Sequence, residues 1–130
     1  MKVIIAGSRH MPKSDYPLVD KAVKDSGFDV TEVVCGLARG GDLLGERWGN
    51  EHGVSVTYFP AEWKRYGRAA GPIRNEQMAL YGDALIVFLY PNSRGSLNML
   101  QQMTKLGKSC FAVHPETRQL LPEFTTGEKE

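Results

Sequence analysis

Few of the residues that usually mark a chemistry are present in quantity. Cysteine occurs twice, as Cys35 and Cys110, far apart and each at the end of an apolar stretch. With no second pair at metal-ligand spacing, the two read as reduced core thiols of a cytoplasmic protein, not as a zinc site or a disulfide framework. Histidine occurs three times; His52 and His114 fall at the ends of expected elements, and His10 lies in a loop after the first apolar run. The acids are scattered, so no metal centre is expected, and no cofactor either. An excess of one charge is also missing. Sixteen Lys and Arg against fifteen Asp and Glu leave a formal +1, which argues against a polyanion-coating surface and makes nucleic acid an unfavoured partner. No apolar run is long enough to cross a bilayer, and the stretch from Met1 to Gly7 is too short for a signal peptide. Internal repeats and low-complexity tracts are absent as well.

What remains is one domain's worth of alternating strand and helix signals. At 130 residues the chain can bury a real core. Lys2 to Ala6 is a short β-branched run that stops at Gly7, as a buried parallel strand does. Ser14 to Ser26 carries Leu18, Ala22 and Val23 at helical spacing, with Ser14 as cap and Gly27 as stop. Glu32 to Cys35 reads as a second strand. Asp42 to His52 reads as a helix with Leu43, Leu44 and Trp48 on adjoining faces, ended by Gly53. Val54 to Phe59 is a third strand. A helix opened by Pro72 follows, then the most apolar strand, Asp83 to Leu89, which belongs near the sheet centre. Gly95 to Leu106 is a further helix, with Leu97, Leu100 and Met103 inward, and Ser109 to Val113 the last strand. The expected fold is α/β: a Rossmann-like three-layer sandwich, its five-stranded mainly parallel sheet covered by helices on both faces. Residues 1–115 form the domain, and a polar C-terminal extension covers 116–130.

In such a fold ligands sit beyond the carboxyl ends of the strands, and the glycine-rich loops all fall there. They are Gly7-Ser8-Arg9, the run Gly36 to Asp42, the basic stretch Trp63 to Asn75, and Ser93-Arg94-Gly95-Ser96. Small residues let backbone donors approach a ligand, and each loop adds polar or cationic side chains. None carries the three-glycine dinucleotide fingerprint or a Walker lysine, which excludes an ordinary nicotinamide dehydrogenase and a P-loop NTPase. The basic stretch is the densest. Pro72 suits a helix start, where the missing N–H would be unpaired anyway. Arg68 and Arg74 then flank free N–H groups and the positive end of the helix dipole, an arrangement that seats a phosphate or another compact anion. Lys64 is expected to be solvated. Trp63 can stack on a base or buttress the loop; Asp42 can accept ribose hydroxyls or serve as a plain helix N-cap. The candidate ligand-binding residues are Gly7, Ser8, Arg9, Gly36, Ala38, Gly40, Gly41, Asp42, Trp63, Arg68, Gly71, Arg74, Asn75, Gly95, Ser96 and Asn98. No catalytic residue is assigned.

These four loops, with Gly95-Ser96-Leu97-Asn98-Met99 closing the last of them, resemble the YspA/YpsA-related branch of the SLOG superfamily. That superfamily also holds the DNA-processing protein DprA and the LOG phosphoribohydrolases. The resemblance runs over residues 1–113, and the string from Trp63 to Asn75 is its most specific part. It implies a Rossmannoid sensor, carrier or enzyme for nucleotides or nucleotide-derived ligands, met in signalling systems and in phages and mobile elements. The LOG branch carries a Gly-Gly-x-Gly-Thr-x-x-Glu loop whose glutamate does the hydrolytic chemistry. Here Ser96 keeps the hydroxyl, but Met99 stands at the glutamate position, and a thioether can neither accept a proton nor offset a developing positive charge. A nucleotide-binding module, able to form a homodimer, is therefore the first expectation. An N-glycosidic or phosphoribosyl hydrolase using Glu76 or Glu46 with Asp42 is the second, and a DprA-like single-stranded-DNA binder the third.

Overall fold

The computed structural model describes residues 1–36, 40–90 and 92–125. Five strands, β1 (Lys2–Gly7), β2 (Glu32–Cys35), β3 (Ser55–Tyr58), β4 (Ala84–Phe88) and β5 (Ser109–Val113), form one sheet in the order β3-β2-β1-β4-β5. All four pairings are parallel. Helices α1 (Tyr16–Ser26), α2 (Gly41–Glu51), α3 (Trp63–Tyr66), α4 (Ala70–Tyr81) and α5 (Arg94–Lys105) make the crossovers. The Rossmann-like expectation holds, with every strand parallel.

The period-two alternation of the strands divides the core. Val3 and Ile5 of β1, with Ala84, Ile86 and Phe88 of β4, face α1 and α2. Ile4 and Ala6, with Leu85 and Val87, face α4 and α5. β4 is buried along its whole length, which explains its unbroken apolar run. Helix α2 lies unusually close to the sheet because it presents glycine every fourth residue. A Cβ on Gly41 would stand 2.6 Å from Gly7 Cα, one on Gly45 2.7 Å from Ile5, and one on Gly49 2.8 Å from Val56. Trp48 is buried on the same helix, whereas Leu43 is exposed and faces solvent, not the core.

Several element ends differ from the sequence reading, for local reasons. Ser14 does not cap α1; it sits in a single 3-10 turn over Lys13–Asp15 that leads into the helix. Gly27 does stop α1, in the left-handed conformation at φ 73°. Pro72 does not open its helix. The basic stretch is itself helical, as α3 and a 3-10 turn over Gly67–Ala69, and α4 starts at Ala70. Proline is tolerated at the third position because a first turn has no preceding carbonyl for its ring to strike. Arg74 is consequently one turn inside α4, not at its tip.

The segment after β5, read from the sequence as a tail from Glu116, folds back through residue 125. Leu120 bridges Val113 in antiparallel sense, Thr125 Oγ1 accepts the Ala112 N–H at 3.1 Å, and Leu121 and Phe124 pack on the α4–α5 side of the core. No helix among the described residues is long and apolar enough to cross a membrane.

Candidate functional site

The strand order reverses direction between β1 and β4, and the loops leaving these two strands diverge to opposite faces. This switch point opens a crevice at the carboxyl edge. Two adjoining lobes fill it, of about 460 Å³ and about 380 Å³, and they share Arg9, Arg74, Asn75, Arg94 and Gly95.

The first lobe lies directly over the strand ends. Gly7 forms part of its floor, and the position must stay small, since a Cβ there would come 2.9 Å from Phe88 and 3.3 Å from Gly41. Ser8 is buried and makes a tight turn. Its N–H donates to Phe88 O, its carbonyl accepts the Met11 and Gly41 N–H groups, and its Oγ accepts the His10 N–H at 3.1 Å. Arg9 and His10 are thereby held at the mouth, both exposed. Asp42, 5% exposed, is not an N-cap: Gly40 holds that place, and Asp42 Oδ1 accepts the Gly7 N–H at 3.3 Å. The carboxylate thus ties the start of α2 to the end of β1 while lining the lobe. Among the described lining residues of both lobes it is the lone carboxylate.

The opposite wall is the N-terminal turn of α5. Ser93 precedes the helix with no side-chain cap, and its Oγ lies 3.4 Å from the Oγ of buried Ser96. The first-turn N–H groups of a helix have no partner within the helix, and the dipole is positive there. Asn75 braces this turn: its Nδ2 donates to Gly95 O at 3.3 Å and Asn98 Oδ1 at 3.0 Å. Met99 lies behind, 1% exposed and part of the apolar core that backs the lobe. Tyr90 closes the far side, edge-on to His114 at 5.3 Å; burial first, then the nearby Glu116, raises its pKa above the ordinary tyrosine value.

Arg74 spans the two lobes. Its Nη1 donates to Gly36 O at 2.5 Å and its Nε to Asn75 Oδ1 at 3.0 Å, so the guanidinium joins α4 to the loop after β2. Gly36 is glycine for that contact, because a Cβ would meet Arg74 Nη1 at 2.7 Å and Asp42 Oδ2 at 2.8 Å. The second lobe has a different character, walled by Pro60, Ala61, Trp63, Gly71 and Pro72, with Asn98 at its inner end.

Of the residues singled out from sequence, Gly7, Ser8, Asp42 and Ser96 line the first lobe, and Gly36, Trp63, Gly71 and Asn98 the second. Arg9, Arg74, Asn75 and Gly95 line both. Gly40 and Gly41 line neither; they pack against the backbone of Ser8, Arg9 and Gly7. Arg68 is exposed in the 3-10 turn and lines neither lobe, as does Lys64. Ala38 lies outside the described residues. Glu76 is exposed on α4 away from both lobes, and Glu46 accepts the Tyr58 hydroxyl at 2.7 Å. Sequence reasoning does not single out Arg94 or Tyr90. Their signal was positional: Tyr90 lies two residues beyond the most buried strand, and Arg94 directly before the glycine of the last loop. No group of side chains among the described residues could hold a metal ion.

Residues 1–66 match the family described as the YspA, cpYpsA-related SLOG family. The Gene 61 protein of Mycobacterium phage D29 is 33% identical over 116 residues, covering 82% of this chain and 90% of that protein. In structure the chain is similar to DNA processing protein A (DprA) from Streptococcus pneumoniae, with a TM-score of 0.70 and 22% identity, over 86% of this chain and 50% of that one. The chain spans half the length of that protein, and the likeness shows the shared Rossmann-like fold.

Proposed function

This chain belongs to the YspA, cpYpsA-related SLOG family, and from that premise we propose that it binds a phosphate-bearing nucleotide or nucleotide derivative as a sensing, carrying or sequestering module. The observation that carries the reading is the α5 N-terminus, which opens into the switch-point cleft beside Arg9 and Arg94. Unpaired N–H groups, a positive dipole end, two serine hydroxyls and planar guanidinium forks form an anion seat. On this reading the phosphate sits on α5, not at the start of α4. Arg68 plays no part in it, and Arg74 acts chiefly by fixing the cleft wall.

Binding without turnover is favoured by the acids. Hydrolysis of a glycosidic bond needs a carboxyl group free to exchange a proton or to face a developing oxocarbenium charge. Asp42 is held by the Gly7 N–H, Glu46 and Glu76 lie outside the cleft, and Met99 is a core side chain. Calorimetry with AMP and ADP, run beside an assay for free base and ribose phosphate, tests the proposal. Saturable binding with no base released is the expected result. Release of base would replace the module with a hydrolase, and nucleosides binding as well as nucleotides would refute the phosphate seat.

A further inference from the structure

We propose that the two lobes form one bipartite site, with the second lobe the pocket for a planar base and Trp63 its stacking platform. The ligand class is then a nucleoside polyphosphate, at least a diphosphate, whose phosphates cross the strip between the lobes. This inference rests on the phosphate seat proposed above.

Three observations carry it. First, the lobes are chemically unlike and contiguous. Serine hydroxyls, Asp42 and helix N–H groups line the first, while Pro60, Ala61, Trp63 and Pro72 wall the second. Second, the boundary they share holds Arg9, Arg74 and Arg94. Part of Arg74 is committed to Gly36 O, but Arg9 and Arg94 are exposed. Several guanidinium groups between a polar and an apolar compartment match a ligand with an apolar head, a multiply charged middle and a seat for its last anionic group. Third, Trp63 is 54% exposed although it is among the largest apolar side chains of the protein. Its ring edge approaches Gly71, where a Cβ would lie 3.5 Å from Trp63 Cη2, and the residue lines the second lobe. Its place on α3, a short helix with no buried residue, gives the ring no core to fill. An indole anchored by an edge beside a cationic strip offers a base its π-face, and stacking of this kind tolerates any base.

Isothermal titration of the full chain with ADP, inorganic pyrophosphate and adenosine tests the inference. ADP should bind at least tenfold more tightly than pyrophosphate. Trp63→Ala should weaken ADP about five- to hundredfold, the range of base–aromatic stacking, and leave pyrophosphate unchanged. Trp63→Phe should recover most of the loss, and Lys64→Ala, its exposed neighbour, should change neither ligand. Equal affinity for ADP and pyrophosphate, or ADP binding indifferent to Trp63→Ala, would overturn the base pocket while leaving the phosphate seat standing. Equal loss of both ligands in Trp63→Ala would also overturn it. If no phosphate compound binds the unaltered protein, both readings fall together.

Discussion

Two glycines of the glycine-rich loops should respond oppositely to the same added methyl group. At Gly40 the backbone holds φ 74° and ψ −124°, and a Cβ would stand 2.0 Å from Ser8 O and 2.8 Å from Arg9 C. Neither neighbour can retreat cheaply, since Ser8 O also accepts the Gly41 and Met11 N–H groups. Gly40→Ala therefore combines backbone strain of about 1–3 kcal/mol with overpacking of about 1–3 kcal/mol, or the loss of one hydrogen bond of about 1 kcal/mol. A total of about 2–6 kcal/mol is a large part of the 5–15 kcal/mol typical of a domain. Gly95, on the second turn-forming position of α5, has nothing within 4 Å of its added Cβ and no positive φ. Gly95→Ala should stabilise the free protein by about 0.5–1 kcal/mol, the helix preference for alanine, yet weaken ligand binding by placing a methyl group in the cleft. Urea unfolding of both variants without ligand, then titration of the folded Gly95→Ala protein, reads both effects. Gly40→Ala within 1 kcal/mol of the parent would refute the steric account. Gly95→Ala with unchanged affinity would show that the ligand does not approach α5 by its backbone.

Arg74→Lys should cost about 1–2 kcal/mol of stability without ligand, because one point-like ammonium replaces the planar fork whose Nη1 and Nε serve Gly36 O and Asn75 Oδ1 separately; an unchanged urea midpoint would mean the brace carries no net energy. Lys108 donates to the carbonyls of Ala79, Leu80 and Gly82 and so closes the C-terminal end of α4. Lys108→Met, which keeps the apolar stem, should destabilise by about 1–2 kcal/mol, visible as a lower midpoint in thermal unfolding. Hydrogen bonds from Tyr81 and then Thr57 hold the Glu32 carboxyl below its ordinary pKa. In the window between that depressed value and the ordinary glutamate value the unfolded chain binds more protons, so stability is full above the window and is lost as pH falls through it. Glu32→Gln should flatten that part of the acid unfolding curve, and an unaltered slope would exclude the pair as a contributor.

The fold was legible because each strand signalled its environment. β4 reads apolar throughout since both its faces are covered, and strand–helix alternation leaves a parallel sheet as the economical topology. The glycine stripe at positions 41, 45 and 49 was equally visible in the sequence, at the four-residue interval that marks one helix face. Its meaning was not, because only the sheet beneath α2 turns three small residues into a close approach. The start of α4 misled for a related reason. Proline at a first helical position and proline at a third are both free of steric conflict, so Pro72 bounds the helix start without fixing it.

The site was legible as a set of loops and illegible as a division of labour. Glycine has the same letter whether it makes room for a neighbour or for a ligand. Gly40, Gly41 and Gly36 are filled by Ser8, Gly7 and Arg74, whereas Gly95 faces open space. Arginine behaves likewise. Six stand in the four loops; of these, Arg74 is a structural brace, Arg68 lies outside the cleft, and Arg9 and Arg94 are exposed at its mouth. Sequence density favoured the stretch from Trp63 to Asn75, where cations are most crowded, but crowding along the chain is not convergence in space. Convergence is set by where the strand order reverses, and that point lies between β1 and β4. The loops leaving those two strands contribute Arg9 and Arg94, the less conspicuous cations, and the basic stretch contributes a wall. The proposed anion seat therefore belongs to the short loops at the switch point, while from the long basic segment Asn75 braces the first turn of α5 and Arg74 ties Asn75 to the loop after β2.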